Sequence, residues 1–245
     1  MHNHPYLELI DIDNIEFDDC LKNVYDITVE NDNSFMLSNS LLVHNSALSG
    51  LLSGRDPKTM AAFPLRGKPI NVYPMELKDI LENKEFKNIM TITGLQFGIQ
   101  VKSVEDIRFG KIVLSTDQDL DGFGIRALLL NAFYKFWPEL FSLGVIHILN
   151  TPIVKVKYKK DTLSFYDLSV FERWKQHHVG EKYDSKYYKG LGTSSSKEWK
   201  EYLSDLSNNL EKVTTEFGDS DIFKLQFSKE IGSTDKRKEW LGIEG

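Results

Sequence analysis

Residues 115–122 (STDQDLDG) place three carboxylates on alternate positions, Asp117, Asp119 and Asp121, directly after a short apolar run. Two carboxylates about 4 Å apart repel by roughly 4 kcal/mol at an effective dielectric near 20. A bound cation relieves that crowding for all three at once. The flanks show what carries the loop. Residues 111–115 (KIVLS) suit a buried strand, and beyond Gly122 apolar residues recur at Ile125, Leu128, Leu129, Ala132, Phe133 and Phe136 with helical spacing. Pro138 stops that helix, Gly144 closes the link, and residues 145–149 (VIHIL) read as a second strand. Strand, acidic loop, helix and strand make a right-handed βαβ unit in an α/β protein. Its carboxylates stand at the carboxyl edge of a parallel sheet, where ligands bind.

Two other uses of the loop compete. Asp-x-Asp-x-Asp-Gly also opens an EF-hand calcium loop, but the twelfth position is Leu128 instead of a bidentate Glu, and a strand precedes it where a helix is needed. One or two of the Asp residues can simply cap the helix or shape the turn. Neither use accounts for a third.

The loop resembles the acidic motif of the Toprim domain of type IIA DNA topoisomerases, and further stretches follow in that family's order. They are residues 64–68 (PLRGK), 151–155 (TPIVK), 187–194 (YYKGLGTS) and 235–241 (DKRKEWL). The wording is most similar to the eukaryotic enzymes and to those of large tailed phages. The resemblance implies a Toprim fold, a Rossmann-like parallel sheet with flanking helices, over residues 46–245. It implies that Asp117, Asp119 and Asp121 hold Mg²⁺, that Lys68 and Lys189 contact double-stranded DNA, and that ATP is bound by a partner's ATPase region. The nucleophilic Tyr of such enzymes would come from a separate breakage-reunion subunit. At position 124 the family commonly has His, and this chain has Gly124.

The front of the Toprim motif departs further. The family's first strand ends in Glu-Gly-Asp-Ser-Ala, whose Glu is a metal ligand and general acid/base. Here only Ser46-Ala47 match, preceded by residues 41–45 (LLVHN). That stretch, with residues 24–30 (VYDITVE) and 34–37 (SFML), resembles the C-terminal portion of an intein. Asn45 can cyclise onto its own carbonyl and cut the bond to Ser46, His44 can assist as a general acid/base, and the Ser46 hydroxyl can accept an acyl group. By the same resemblance Asp26 takes the acidic place of the preceding strand, and Asn33 stands where many inteins carry a helping His. No N-terminal intein block lies between Met1 and Glu30, and Cys20 is incidental. Residues 1–45 thus read as a small all-β split-intein C-terminal fragment. Its partner chain would bring the other intein half, the ATPase region, the first Toprim strand and the missing Glu.

Charge follows the same boundary. The chain has 36 acidic and 30 basic residues, net −6, unfavourable for holding DNA. Residues 1–45 hold nine acidic residues against Lys22 alone, leaving 27 acidic and 29 basic for the rest. One cysteine excludes a disulfide framework and suits a reducing cytoplasm. No apolar run reaches membrane-spanning length, and residues 1–10 lack a signal peptide's basic start and apolar core. Ser195 and Glu198 are spaced for a capping box after the Lys189 loop. Residues 183–188 read as a strand leading into that loop, residues 78–87 as a solvated helix, Phe133, Phe136 and Trp137 as core, and His177-His178 as a surface pair. Two readings outside the topoisomerases stay open, another Toprim enzyme (nuclease or primase) and a non-catalytic DNA-binding remnant.

Overall fold

Apolar side chains that alternate between two faces build a five-stranded sheet at the centre of the computed structural model, which describes residues 40–45, 48–216 and 219–243. The chain divides into Met1–Asp32 and Asn33–Gly245, and all described residues fall in the second unit. It opens with β1 (Ser40–Asn45), α1 (Leu48–Gly54), β2 (Met60–Leu65), α2 (Leu77–Glu82) and α3 (Lys84–Thr93). The crossover unit is β3 (Lys111–Ser115), α4 (Leu120–Phe136), α5 (Glu139–Ser142) and β4 (Ile146–Leu149). Then come β5 (Val154–Tyr158), β6 (Asp161–Phe165), α6 (Leu168–His177) and β7 (Asp184–Tyr187). The chain continues through α7 (Ser196–Ser204), α8 (Leu206–Asn209), β8 (Leu210–Lys212), α9 (Asp219–Phe227) and α10 (Ser233–Trp240).

The main sheet runs β2-β1-β3-β4-β8, parallel except for β8, which pairs antiparallel with β4. A smaller antiparallel sheet has the order β6-β5-β7. Successive strand residues face opposite ways, so Val43, Phe63, Ile112, Leu114, Ile146 and Ile148 join one core with Ile89, Ile125, Leu129, Phe133 and Trp137. Leu42, Val113 and Leu149 join a second core with Leu51, Leu191, Trp199 and Leu203. Both faces are covered, as a parallel sheet requires. On the second face α1 meets α7 closely because a Cβ at Gly50 would lie 2.6 Å from the Trp199 ring and one at Gly54 2.7 Å from the Lys200 amide nitrogen.

The strand β1 bears on one expectation. A partner chain is expected to supply the first strand of the completed Toprim sheet; in this chain by itself Ser40–Asn45 lies between β2 and β3, with Val43 opposite Phe63 and Leu114. The reason is geometric: a central slot in a parallel sheet offers two rows of unpaired backbone groups and two apolar faces, and Leu42 and Val43, both fully buried, fill them. The other parts expected of the intein fragment, including Asp26, residues 24–30, residues 34–37 and Ser46, lie outside the described residues, as do the side chains of His44 and Asn45.

Residues 78–87 also differ from a single solvated helix. Asn83 ends α2 and caps α3 by accepting the Phe86 N–H, and α3 buries Phe86 and Ile89. Among the described residues no helix is long and apolar enough to cross a membrane.

Candidate functional site

The acidic loop leaves the carboxyl end of β3, where Ser115 and Thr116 are fully buried. Gly122 is required at once, because a Cβ there would lie 2.0 Å from the Asp117 carbonyl oxygen. The first turn of α4 therefore rests on the backbone of Asp117. Asp119 is the N-cap of α4, its Oδ1 accepting the Gly122 N–H at 2.8 Å, which satisfies one of the helix's free donors. Asp121 lies in the first helical turn with its side chain 92% exposed, 3.9 Å from the Lys68 Nζ. In that solvated setting the pair contributes little to stability.

Asp117 is held differently. Its Oδ1 accepts the backbone N–H of Leu191 at 2.7 Å, across 74 residues of sequence. The loop after β7, with Lys189 exposed, thus folds over the acidic loop. Beneath it the Arg126 Nη2 donates to Thr116 Oγ1 at 3.0 Å, and the Arg126 guanidinium lies 5.4 Å from the Phe123 ring. Burial lowers the Arg126 pKa from its ordinary value. The Ser115 Oγ and Arg126 Nε are buried there without a hydrogen-bond partner.

The second loop is fixed from below. Tyr188 is buried and donates its hydroxyl to Glu198. Ser195 caps α7, its N–H donating to Glu198 Oε2 at 2.8 Å while its Oγ accepts the Glu198 N–H at 3.3 Å. Burial acts first to raise the Glu198 pKa, but hydrogen bonds from Tyr188, Ser195 and Lys186 prevail and bring it to about 2. Burial and the Glu198 charge push the Tyr188 phenol well above its ordinary value. On the opposite side, Gly67 makes the turn before Lys68 with φ of 102°, a conformation suited to glycine. A Cβ at Gly124 would stand 3.2 Å from the Lys68 Nζ, so the glycine leaves room for Lys68 to lie along α4 toward Asp121.

Residues 149–243 match the C-terminal associated domain of Toprim. The chain is 42% identical over 206 residues to DNA topoisomerase 2 of Bombyx mori, an alignment covering 80% of this chain and 13% of that protein. It is 42% identical over 203 residues to human DNA topoisomerase 2-beta, covering 80% of this chain and 12% of that one. A Plasmodium falciparum topoisomerase II structure, described as its DNA-binding, cleavage and re-ligation domain, superposes with a TM-score of 0.80 at 33% identity, over 89% of this chain and 32% of that one. The chain is homologous to the Toprim region of type II DNA topoisomerases. It spans about an eighth of the length of the curated relatives it matches.

The topoisomerase-like arrangement gathers Asp117, Asp119, Asp121, Lys68 and Lys189 around one sheet edge, but it does not gather the carboxylates into a cage. Among the described residues no three His, Cys, Asp or Glu side chains converge on a common point. Asp119 is turned into its helix cap and Asp117 toward Leu191. The donor set fits Mg²⁺ all the same, since Mg²⁺ keeps most of its waters and takes one or two carboxylates together with substrate phosphates. It does not fit a calcium loop, which needs six to eight oxygens.

Two other stretches that the sequence singles out lie in structural surroundings. The Lys155 side chain, from the TPIVK stretch, is occupied structurally, 3.3 Å from Glu201 and 4.8 Å from the Tyr202 ring centre. Of the histidine pair, His177 is exposed, whereas His178 stacks on Trp174 at 4.2 Å and is half-buried. The Leu191 amide and Arg126 escaped sequence reasoning because a backbone donor has no residue type to read, and a lone Arg within a helix gives no pattern.

Proposed function

We propose that the chain contributes the Toprim part of a phage-type, ATP-dependent type II DNA topoisomerase and that protein trans-splicing completes it. The observation that carries this reading is the acidic loop at the carboxyl edge of a parallel sheet, flanked by the exposed Lys68 and Lys189 loops. Asp117, Asp119 and Asp121 would hold Mg²⁺ with waters and a phosphate oxygen. When bound, the metal stabilises the charge that develops on a scissile phosphate. Lys68 and Lys189 bind the backbone of double-stranded DNA, a sequence-independent contact that positions the duplex. ATP binds the partner that also brings the N-terminal intein half, and the nucleophilic Tyr belongs to the breakage-reunion subunit. The assembly works in a host-cell cytoplasm.

In the splicing step Asn45 cyclises, His44 assists, Asp26 supports the reaction, and Ser46 accepts the incoming acyl group. Loss of residues 1–45 removes nine acidic residues and one lysine, so excision also removes charge that repels DNA. The position of β1 fits this sequence of events, since Ser40–Asn45 holds the slot that the partner's strand takes after ligation.

Co-expression with the upstream chain tests the reading. Mass spectrometry should find a ligated product that has lost residues 1–45, and that product with the Tyr-bearing subunit should relax supercoiled DNA only with ATP and Mg²⁺. Absence of ligation overturns the splicing part. Ligation followed by nicking, priming or inert binding overturns the topoisomerase part.

A further inference from the structure

The carboxylate of Asp117 is gripped by a part of the chain remote from its own loop. The Leu191 N–H donates to its Oδ1 at 2.7 Å. A Cβ on Gly190 would lie 3.1 Å from that Oδ1 and 3.2 Å from both Cγ and Oδ2, touching the whole carboxylate. Gly190 has φ of −169°, extended backbone that any residue adopts. Its glycine is therefore not needed for the turn. It is needed for room. Gly192, two residues on, has no heavy atom within 4 Å of where its Cβ would be. The same loop thus carries one glycine pressed on Asp117 and one facing open space.

The donor is held rigidly. Leu191 is buried in the core with Trp199, Tyr202 and Leu203. The Thr193 N–H donates to the Gly190 carbonyl at 3.0 Å and the Tyr188 N–H to the Ile153 carbonyl at 2.8 Å. From the far side Gly122 packs on the Asp117 carbonyl. One carboxylate oxygen is thereby committed to a fixed amide, and Oδ2 is left to turn toward a ligand.

The geometry points to Gly190 and the Leu191 amide as the positioning pair for Asp117, orienting its carboxylate so that Oδ2 faces a divalent cation. This rests on the proposed role of Asp117 as a metal ligand. Partners that orient a metal ligand typically account for about 10- to 100-fold in metal affinity. A Cβ at Gly190 has to push the carboxylate by a few tenths of an ångström, which turns Oδ2 from the direction that the Leu191 amide sets.

The test uses the full 245-residue chain, labelled for amide NMR, and for the Mn²⁺ titration the ligated product labelled in this chain's segment, where the partner's Glu completes the donor set. Relative to the wild type, Asp117→Ala should move the Leu191 amide proton upfield, reporting loss of the bond. Gly190→Ala should shift the same resonance and raise the Mn²⁺ concentration that half-broadens it by about tenfold or more. Gly192→Ala should do neither, and the remaining amide spectrum should stay native in all three variants. An unmoved Leu191 resonance in Asp117→Ala overturns the inference, as does a Gly190→Ala titration matching the wild type. An intact Leu191 bond with no Mn²⁺ broadening of the ligated product at any concentration overturns the metal-ligand role of Asp117 and this inference with it. Equal losses in Gly190→Ala and Gly192→Ala assign the effect to loop flexibility and overturn it too.

Discussion

Replacing Leu42 by Ala probes whether β1 belongs to the sheet. Leu42 is fully buried in the core it shares with Leu51, Val113, Leu149, Leu191 and Trp199, on a strand paired along both edges. Truncating a Leu so placed removes three carbons from water-free packing and leaves a cavity that two flanking strands cannot collapse, costing about 2–5 kcal/mol. For a folded unit of this size each kcal/mol lowers the melting temperature by about 2–4 °C, so a loss near 3 kcal/mol predicts a fall of about 6–12 °C. Leu120, 88% exposed in the acidic loop, provides the control, and Leu120→Ala should stay within about 0.5 kcal/mol. Calorimetry of both variants, with amide hydrogen exchange followed over residues 41–45, reads the outcome. If Leu42→Ala melts with the wild type and those amides exchange freely, β1 does not occupy the central slot. The account of its displacement on ligation then fails as well.

Three further outcomes are expected. Glu198 has its pKa brought from an ordinary 4.5 to about 2, so its contribution to stability is complete above pH 4.5 and is lost as pH falls from there toward 2. Urea unfolding at pH 7 and pH 3 should show this slope, and Glu198→Ala should flatten it. Gly50→Ala, which sets a Cβ 2.6 Å from the Trp199 ring, should cost about 1–3 kcal/mol by overpacking; an unchanged midpoint in chemical denaturation contradicts the close α1–α7 approach. Lys68→Ala and Lys189→Ala in the ligated product should each weaken duplex binding across sequences and reduce the slope of log K against log salt by about one. Unaltered slopes in fluorescence anisotropy remove both lysines from the phosphate contact.

Much of the architecture was written locally. Residues 111–115 form β3 as their apolar run implied, α4 ends at Phe136 ahead of Pro138, and β4 ends at Leu149. Ser195 and Glu198 form the capping box that their spacing announced, and β7 leads into the Lys189 loop. Each is decided by steric and hydrogen-bonding preferences reaching only a few residues along the chain. The three-residue β8 had no such signature, because its strand character comes from pairing with β4.

The candidate site shows the same division. Residue types at 117, 119 and 121 marked the acidic loop, and the cap formed by Asp119 was open to sequence reasoning. That Asp117 answers to an amide 74 residues away, and that Ser40–Asn45 sits between β2 and β3, emerged only in three dimensions. Backbone donors and vacant sheet positions carry no side-chain identity, so their partners are selected by which segments the packed core brings within about 3 Å, a distance set by tertiary geometry.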